Sequence, residues 1–357
     1  MLKGRKANRA RSMDKYQVNE VDVSKGFADV LRIWSENFDR KFDYHHKYSW
    51  LYQDNPSGES DLYFLFSSED EKEVGVQGVS PRQMEYNGER FCAGLVADFA
   101  VDQSHRTLGP GLNLLKTVLN KSKSKYPLTY SFPNKKAVPV FKRAGYRFTF
   151  EISRFSKVIK SRAYIEKRWP KSFAFIASYL LDKIIYLSDL YHYLRFVRGV
   201  NSEVLESSDQ RFDALWNKTS FKRGLLLTQR SSNYIDWRIQ EAGDYKQNIF
   251  LITDRSGEAI GYLIYFIQGN NCRVIDFIAL DSGVSLKILF AAFLFHIRKS
   301  GVESISVEYK GTQDIDDSIA SLGFIRRESR ELFFVYDQEK LSEPVDGFFT
   351  AWDEDAV

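Results

Sequence analysis

Cysteine is nearly absent: Cys92 and Cys272 are the only two in 357 residues. Two thiols at that spacing fit no metal-ligand pattern and build no disulfide framework, so the sequence reads as cytoplasmic and without a metal site. A dominant charge is missing too. Fifty-one Lys and Arg face 47 Asp and Glu, a formal net charge of +4, too small to imply nucleic-acid binding. The start, Met1–Arg11, is basic but lacks the apolar core of a secretory signal; residues 1–19 are expected to form a disordered tail. An uninterrupted apolar run of the ~20 residues that span a bilayer is also lacking. The best candidate, Phe173–Leu187, is broken by Asp182 and Lys183. What the chain does have is 43% hydrophobic residues, including 28 Phe and 20 Tyr, and a length that allows two or three domains.

The densest local information lies between Asp98 and Leu119. A strand-like run ends in a polar loop carrying Arg106-x-x-Gly109-x-Gly111, and the loop opens directly into an amphipathic helix. Glycines let a backbone turn its N–H groups toward a phosphate, and a helix N-terminus favours negative charge. Strand, glycine loop and helix start therefore read as an anion site. Tyr130-Ser-Phe-Pro-Asn134 and Gly145-Tyr146 follow in order.

This succession resembles the GNAT superfamily of acyl-CoA-dependent N-acyltransferases. The family's loop, Gln/Arg-x-x-Gly-x-Gly/Ala, is matched by Arg106, Gly109 and Gly111; the next strand ends near an Asn, here Asn134, and a short helix closes on Gly145-Tyr146. The resemblance implies acetyl-CoA as acyl donor, held by Phe99, Ala100 and Val101 of the strand and by Arg106 and Thr107. It implies that backbone amides from Leu108 through Leu112 cradle the pyrophosphate, with Asn134 and Phe141 also at the coenzyme. Pro110 has no N–H to give, so one donor of the set is missing. The family's general-acid Tyr falls at Phe141, which cannot donate a proton; Tyr146 and Tyr130 are the candidate replacements, with solvent as a third.

An internal repeat extends the argument. The helix opening at Phe27 has its partner at Phe212, Trp50 in the region of Trp237, Asp98-Phe99 in Asp276-Phe277, and Gly145-Tyr146 in Gly323-Phe324. The spacing suits two stacked domains. After Asp276 the second copy has Ser282-Gly283-Val284-Ser285 without the glycine signature, and its helix from Leu286 is apolar on nearly every side, as a buried helix is. The expected architecture is mixed α/β (α+β): two tandem GNAT-like domains, each a twisted, mostly antiparallel sheet flanked by helices. The N-terminal domain spans 20–153 with the coenzyme loop, a basic, aromatic helical linker spans 154–200, and a degenerate copy without coenzyme spans 201–357. The linker has two readings, a helix packed between the domains or an interfacial helix touching anionic lipid through 157–198.

N-acylation requires an amine beside the thioester, removal of its proton, and a group to steady the oxyanion. Asp98, just ahead of the loop, is the first candidate for base or amine anchor. Against this stands Asp276, which repeats it in the copy without a loop, as a structural carboxylate would. His105 lies inside the loop and reads as exposed or near phosphate rather than as a base. His45-His46, in the region that roofs the acceptor site in this family, read first as a solvent-facing pair and second as substrate contacts. The whole chain is similar to tandem GNAT proteins encoded among bacterial surface-polysaccharide genes, which implies a small-molecule amine acceptor such as an amino sugar, nucleotide- or lipid-linked, and work in the cytoplasm or at the inner face of the membrane. A homodimer stays open. So do a Fem-type aminoacyl transferase, which should not need the intact loop, and a catalytically silent acyl-CoA or partner binder.

Overall fold

The computed structural model describes residues 15–38, 43–241, 245–336 and 346–355. The first half runs β1 (Tyr16–Val21), α1 (Phe27–Asn37), α2 (Tyr44–Tyr48), a π turn Ser49–Gln53, β2 (Asp61–Ser67), β3 (Lys72–Tyr86), β4 (Glu89–Val101), α3 (Leu108–Lys125), β5 (Leu128–Ser131), α4 (Val138–Ala144) and β6 (Arg147–Val158). A single helical turn at Arg162–Ile165 and the long α5 (Lys171–Phe196) lead to the second half. There follow β7 (Asn201–Leu205), α6 (Gln210–Lys218), β8 (Leu227–Thr228), α7 (Ser232–Ile239), β9 (Asn248–Thr253), β10 (Ala259–Gln268), β11 (Asn271–Ala279), α8 (Val284–Ile297), β12 (Ser304–Lys310), α9 (Gln313–Ala320), β13 (Ile325–Tyr336) and β14 (Phe349–Thr350).

Local sequence explains the turns. Asn87 and Gly88 both take positive φ between the paired Tyr86 and Glu89, the two-residue hairpin that matches strand twist. The repeated Gly-aromatic pairs are helix stops. Gly145 and Gly323 sit at φ +114 and +85 after α4 and α9, where a side chain is disfavoured. The aromatics behind them, Tyr146 and Phe324, are buried.

The mixed α/β class holds, but the halves are not simply stacked. The described strands join one sheet, twelve of them in the order β1-β2-β3-β4-β5-β13-β6-β12-β11-β10-β9-β7, with β8 attached to β3 and β14 to β12. β13, from the second half, lies between β5 and β6 of the first. β6 in turn lies between β13 and β12. Each half therefore lends its last long strand to the other. Residues 154–158, read as the start of a linker, belong to this exchanged strand, and residues 16–19, read as tail, are part of β1. A second two-way contact joins the halves: Trp50 and Trp237 stack at 4.8 Å, and each indole N–H donates to the other's backbone carbonyl, at 2.7 and 2.9 Å. One apolar cluster fills the space between the first half's sheet and α3–α4. Another covers its opposite face, under α1 and the π turn, and includes Leu226, Tyr234 and Phe334 from the second half.

Candidate active site

β4 and β5 are parallel but pair only at Gly94–Thr129 and Leu95–Tyr130. Beyond Leu95 no described strand pairs with β4 on that side, so a wedge opens between the two. At its apex β4 bulges: Val76 faces Ala100 and Gly78 faces Ala97, so Asp98 and Phe99 stand opposite the single residue Gln77. Asp98 sits at φ +56, a left-handed conformation that Asp tolerates better than most residues. The loop then enters α3. Thr107 at the N-cap makes no side-chain capping bond, and the first turn of α3 carries no acid. The leading N–H groups are thus left for an outside anion. Gly111 packs closely on Phe99, where a Cβ would stand 3.1 Å from the ring's Cζ. Arg106 ties the loop down, its Nε donating to the Val101 carbonyl at 2.8 Å and its Nη2 to Oδ1 of Asn37.

The second half has the same wedge, already filled. β11 and β12 pair up to Val274–Val307 and diverge. Into the gap runs the chain's own C-terminal segment, with β14 pairing to Tyr309 and Lys310 of β12. Thr350 donates its hydroxyl to Asp276 at 2.8 Å, and Arg230 bridges the buried carboxylates of Asp276 and Asp353 at 3.0 and 2.9 Å. The helix start is taken as well. Oδ1 of Asp281 accepts the Gly283 N–H at 2.8 Å, and its other oxygen accepts the Ser285 hydroxyl. A resident carboxylate stands where α3 of the first half offers bare N–H groups.

Asp98 anchors a buried cluster beside the first wedge. Lys47 Nζ donates to its Oδ1 at 2.5 Å and the Tyr52 hydroxyl to its Oδ2 at 2.9 Å. The Asp98 N–H, freed by the bulge, donates to Oδ2 of Asp355 at 3.2 Å. Tyr52 reaches Asp98 across Gly78, where a Cβ would lie only 2.0 Å from the phenol oxygen. Burial pushes the Asp98 carboxyl up to about 6 despite the opposing pull of Lys47, with Asp355 adding to the rise. Burial also works against the charge of Lys47, but Asp98 and Asp355 outweigh it and hold the ammonium above the ordinary lysine range. Glu354, next along the chain, is pushed up to about 7 by burial although Arg330 pairs with it. A carboxylate near 6 is ionised at neutral pH yet basic enough to take a proton from an ammonium held against it.

The structure groups Phe99, Ala100, Val101, Arg106, Thr107, Gly109, Pro110, Gly111 and Leu112 around the wedge and loop; the backbone of Leu108 opens α3. Asn134 is exposed, and its Oδ1 accepts the N–H groups of Lys136 and Ala137 at 3.0 Å, so that oxygen caps the turn into α4. Phe141 and Tyr146 lie away from the open wedge's carboxylates. Both are buried in the cluster beneath α3, with ring centres 5.1 Å apart. Tyr146 lies among Leu114, Val118 and Phe141, whereas Asp98 bonds Tyr52 on the sheet's other side; the two do not meet as acid and base. Tyr130 is likewise buried, its hydroxyl donating to the Asp353 carbonyl at 3.3 Å. His45 and His46 are exposed, and the neighbouring Lys47 is the residue that turns inward. His105 bonds Tyr16 at 3.0 Å. No group of His, Cys, Asp and Glu among the described residues could hold a metal ion.

Sequence reasoning missed Lys47, Tyr52, Glu354 and Asp355. Lys47 does carry a signal: with Tyr44, Tyr48, Leu51 and Tyr52 it falls on one helical stripe of otherwise apolar character, where a cation implies a buried counter-charge.

Comparison with known proteins gives a consistent picture. The family model for the acetyltransferase (GNAT) domain matches residues 23–149. No curated protein matches by sequence. Among solved structures, the chain is similar to an Enterococcus faecalis V583 protein described as a "Probable N-Acyltransferase", with TM-score 0.64 and 16% identity over 90% of this chain and 72% of that one. It is similar to a GCN5-related N-acetyltransferase from Anabaena variabilis, with TM-score 0.63 and 13% identity over 90% and 72%. A tandem GNAT protein from the clavulanic acid biosynthesis pathway aligns over 90% of this chain and 98% of its own, with TM-score 0.53 and 10% identity. At such identities these likenesses speak to the fold.

Proposed function

We propose that this protein, whose residues 23–149 form a GNAT-type acyltransferase domain within a tandem GNAT fold, is an N-acetyltransferase that moves the acetyl group of acetyl-CoA to a primary amine. The observation that carries the reading is the contrast between its halves. One wedge and helix start are open, and the other pair is filled by the chain's own C-terminus and by Asp281.

The open set fits an acyl-CoA. The start of α3 suits the pyrophosphate, and the unpaired edge of β4 suits an extended arm with amide groups. The acceptor's ammonium is drawn to Asp98 and Asp355, which together with Lys47 keep that corner charged but close to balance. A carboxylate of this pair takes one proton from the ammonium. The freed amine nitrogen bonds to the acetyl carbonyl carbon and gives up its second proton to solvent as the carbon–sulfur bond breaks, and the departing thiolate takes a proton from solvent, since Phe141 offers none. An amino sugar of surface-polysaccharide synthesis is the acceptor class we favour.

The test is release of free thiol from acetyl-CoA across a panel of amino sugars, polyamines and amino acids. We expect turnover with at least one amino sugar and loss of about a hundredfold in kcat in Asp98→Asn. Thiol release unaffected by the panel and by Asp98→Asn would reject the reading.

A further inference from the structure

Helix α5 is built inside out. Its fully buried residues are small or polar, Ala174, Ser178 and Asp189. Asp182 accepts the Ser161 N–H at 2.7 Å, Asp189 pairs with Lys157 at 2.7 Å and with Arg298, and only near its end do Tyr193 and Phe196 pack aromatic rings on the second half. The residues it turns to solvent are apolar. Ile176, Ile184 and Leu187 are 62%, 64% and 60% exposed. Most of the exposed large apolar side chains among the described residues lie between Tyr164 and Leu194. A helix stabilised only by this protein's core would show the opposite polarity.

We infer that this outer face of α5 docks on an anionic lipid surface. Charge decides the occupant. Of the three acids between Lys160 and Val200, Asp182 and Asp189 point inward and Glu166 is paired with Arg162. The cations Arg162, Lys167, Arg168, Lys171, Lys183 and Arg195 stay exposed. Several lie against exposed rings, Lys183 at 4.8 Å from the centre of Tyr179 and Arg195 at 5.9 Å from that of Tyr191. Cations interleaved with aromatics suit the headgroup layer of an anionic membrane, with the aliphatic side chains reaching the acyl boundary. A second copy on the same face would oppose like charges. No helix among the described residues is long and apolar enough to cross a membrane, so the contact is peripheral.

Vesicle flotation of the full-length protein tests this, with phosphatidylglycerol–phosphatidylcholine vesicles beside vesicles of phosphatidylcholine alone. The wild type floats with the anionic vesicles, about tenfold more than with neutral ones, and high salt weakens the association. Ile184→Glu/Leu187→Glu, with circular dichroism unchanged because both sites are exposed, loses it. Lys167→Glu/Arg168→Glu reduces it. No flotation, or equal flotation on both vesicle types, overturns the proposal. A concentration-dependent dimer dissolved by the Ile184→Glu/Leu187→Glu pair, without flotation, would reassign the face to a second copy. None of these readouts depends on acetyl transfer.

Discussion

At the scale of single residues, the account rests on two buried carboxylates with opposite tasks. Asp276 is locked between Arg230, Thr350 and Tyr262, whereas Asp98 keeps a lysine and a tyrosine beside an open wedge. Replacing Arg230 by Met leaves Asp276 and Asp353 facing each other without a counter-charge. Denaturant melts should show a loss of about 3–5 kcal/mol, and an unchanged midpoint would contradict the network's role. For Asp98 the consequence is a pH profile. Its carboxyl is held near 6 in the folded protein, above its ordinary 3.8, so the ionised, proton-accepting form grows in as pH rises through about 6. kcat/KM for acetyl transfer should therefore climb across that value. Lys47 pulls this carboxyl downward, so Lys47→Met should move the climb to higher pH; a limb that stays in place would remove Asp98 from proton transfer. Asp98 was legible in the sequence because it follows the strand and precedes the loop. Lys47 shows in the sequence only as a cation on an apolar stripe, with nothing nearby to name its counter-charge, while the adjacent His45 and His46 face solvent as expected of such a pair. The partner Asp355 lies more than 250 residues from Asp98, a distance no local pattern spans.

At the scale of elements, the two helix starts make opposite demands. α8 is capped by its own Asp281 and α3 has no side-chain cap. Asp281→Ala should cost about 1 kcal/mol of stability, the usual worth of such a cap. Thr107→Asp should do the reverse in the first half. It should gain a few tenths of a kcal/mol or more from the helix dipole, while placing a carboxylate against the coenzyme phosphates and weakening acetyl-CoA binding about tenfold or more. Paired denaturation and calorimetry would show both signs in one variant; equal stability and affinity would mean that α3 does not face a phosphate. This element was readable because Arg106-x-x-Gly-x-Gly111 is local in the chain and its physics is that of one loop. The role of Phe141 and Tyr146 was not readable. Both follow the loop closely in sequence, but the helical turn of α4 and its glycine stop aim them into the core beneath α3.

At the scale of the whole molecule, the repeat was visible but the way its halves interlock was not. Pairing of β13 with β5 and β6 joins residues about 170 to 210 apart, Ile325 with Ser156 and Tyr336 with Leu128 at the extremes, and the sequence holds no register mark for so distant a partner. The exchange predicts that a fragment ending near residue 200 lacks a central strand and stays unfolded. The full chain should then melt in one transition, and two separated transitions would contradict the interlocked sheet. The second half thus supplies β13 to the first half's sheet and Asp355 to the edge of its open wedge, and its own wedge is closed by the chain's C-terminal segment. The central claim is that the first wedge alone receives the coenzyme. Calorimetric titration with acetyl-CoA, wild type beside Gly109→Glu, tests it most directly. The account predicts one site per chain in the wild type, in the micromolar range, and none in the variant, whose carboxylate would sit where the pyrophosphate belongs. Binding that survives Gly109→Glu, or no binding by the folded wild type, would contradict it.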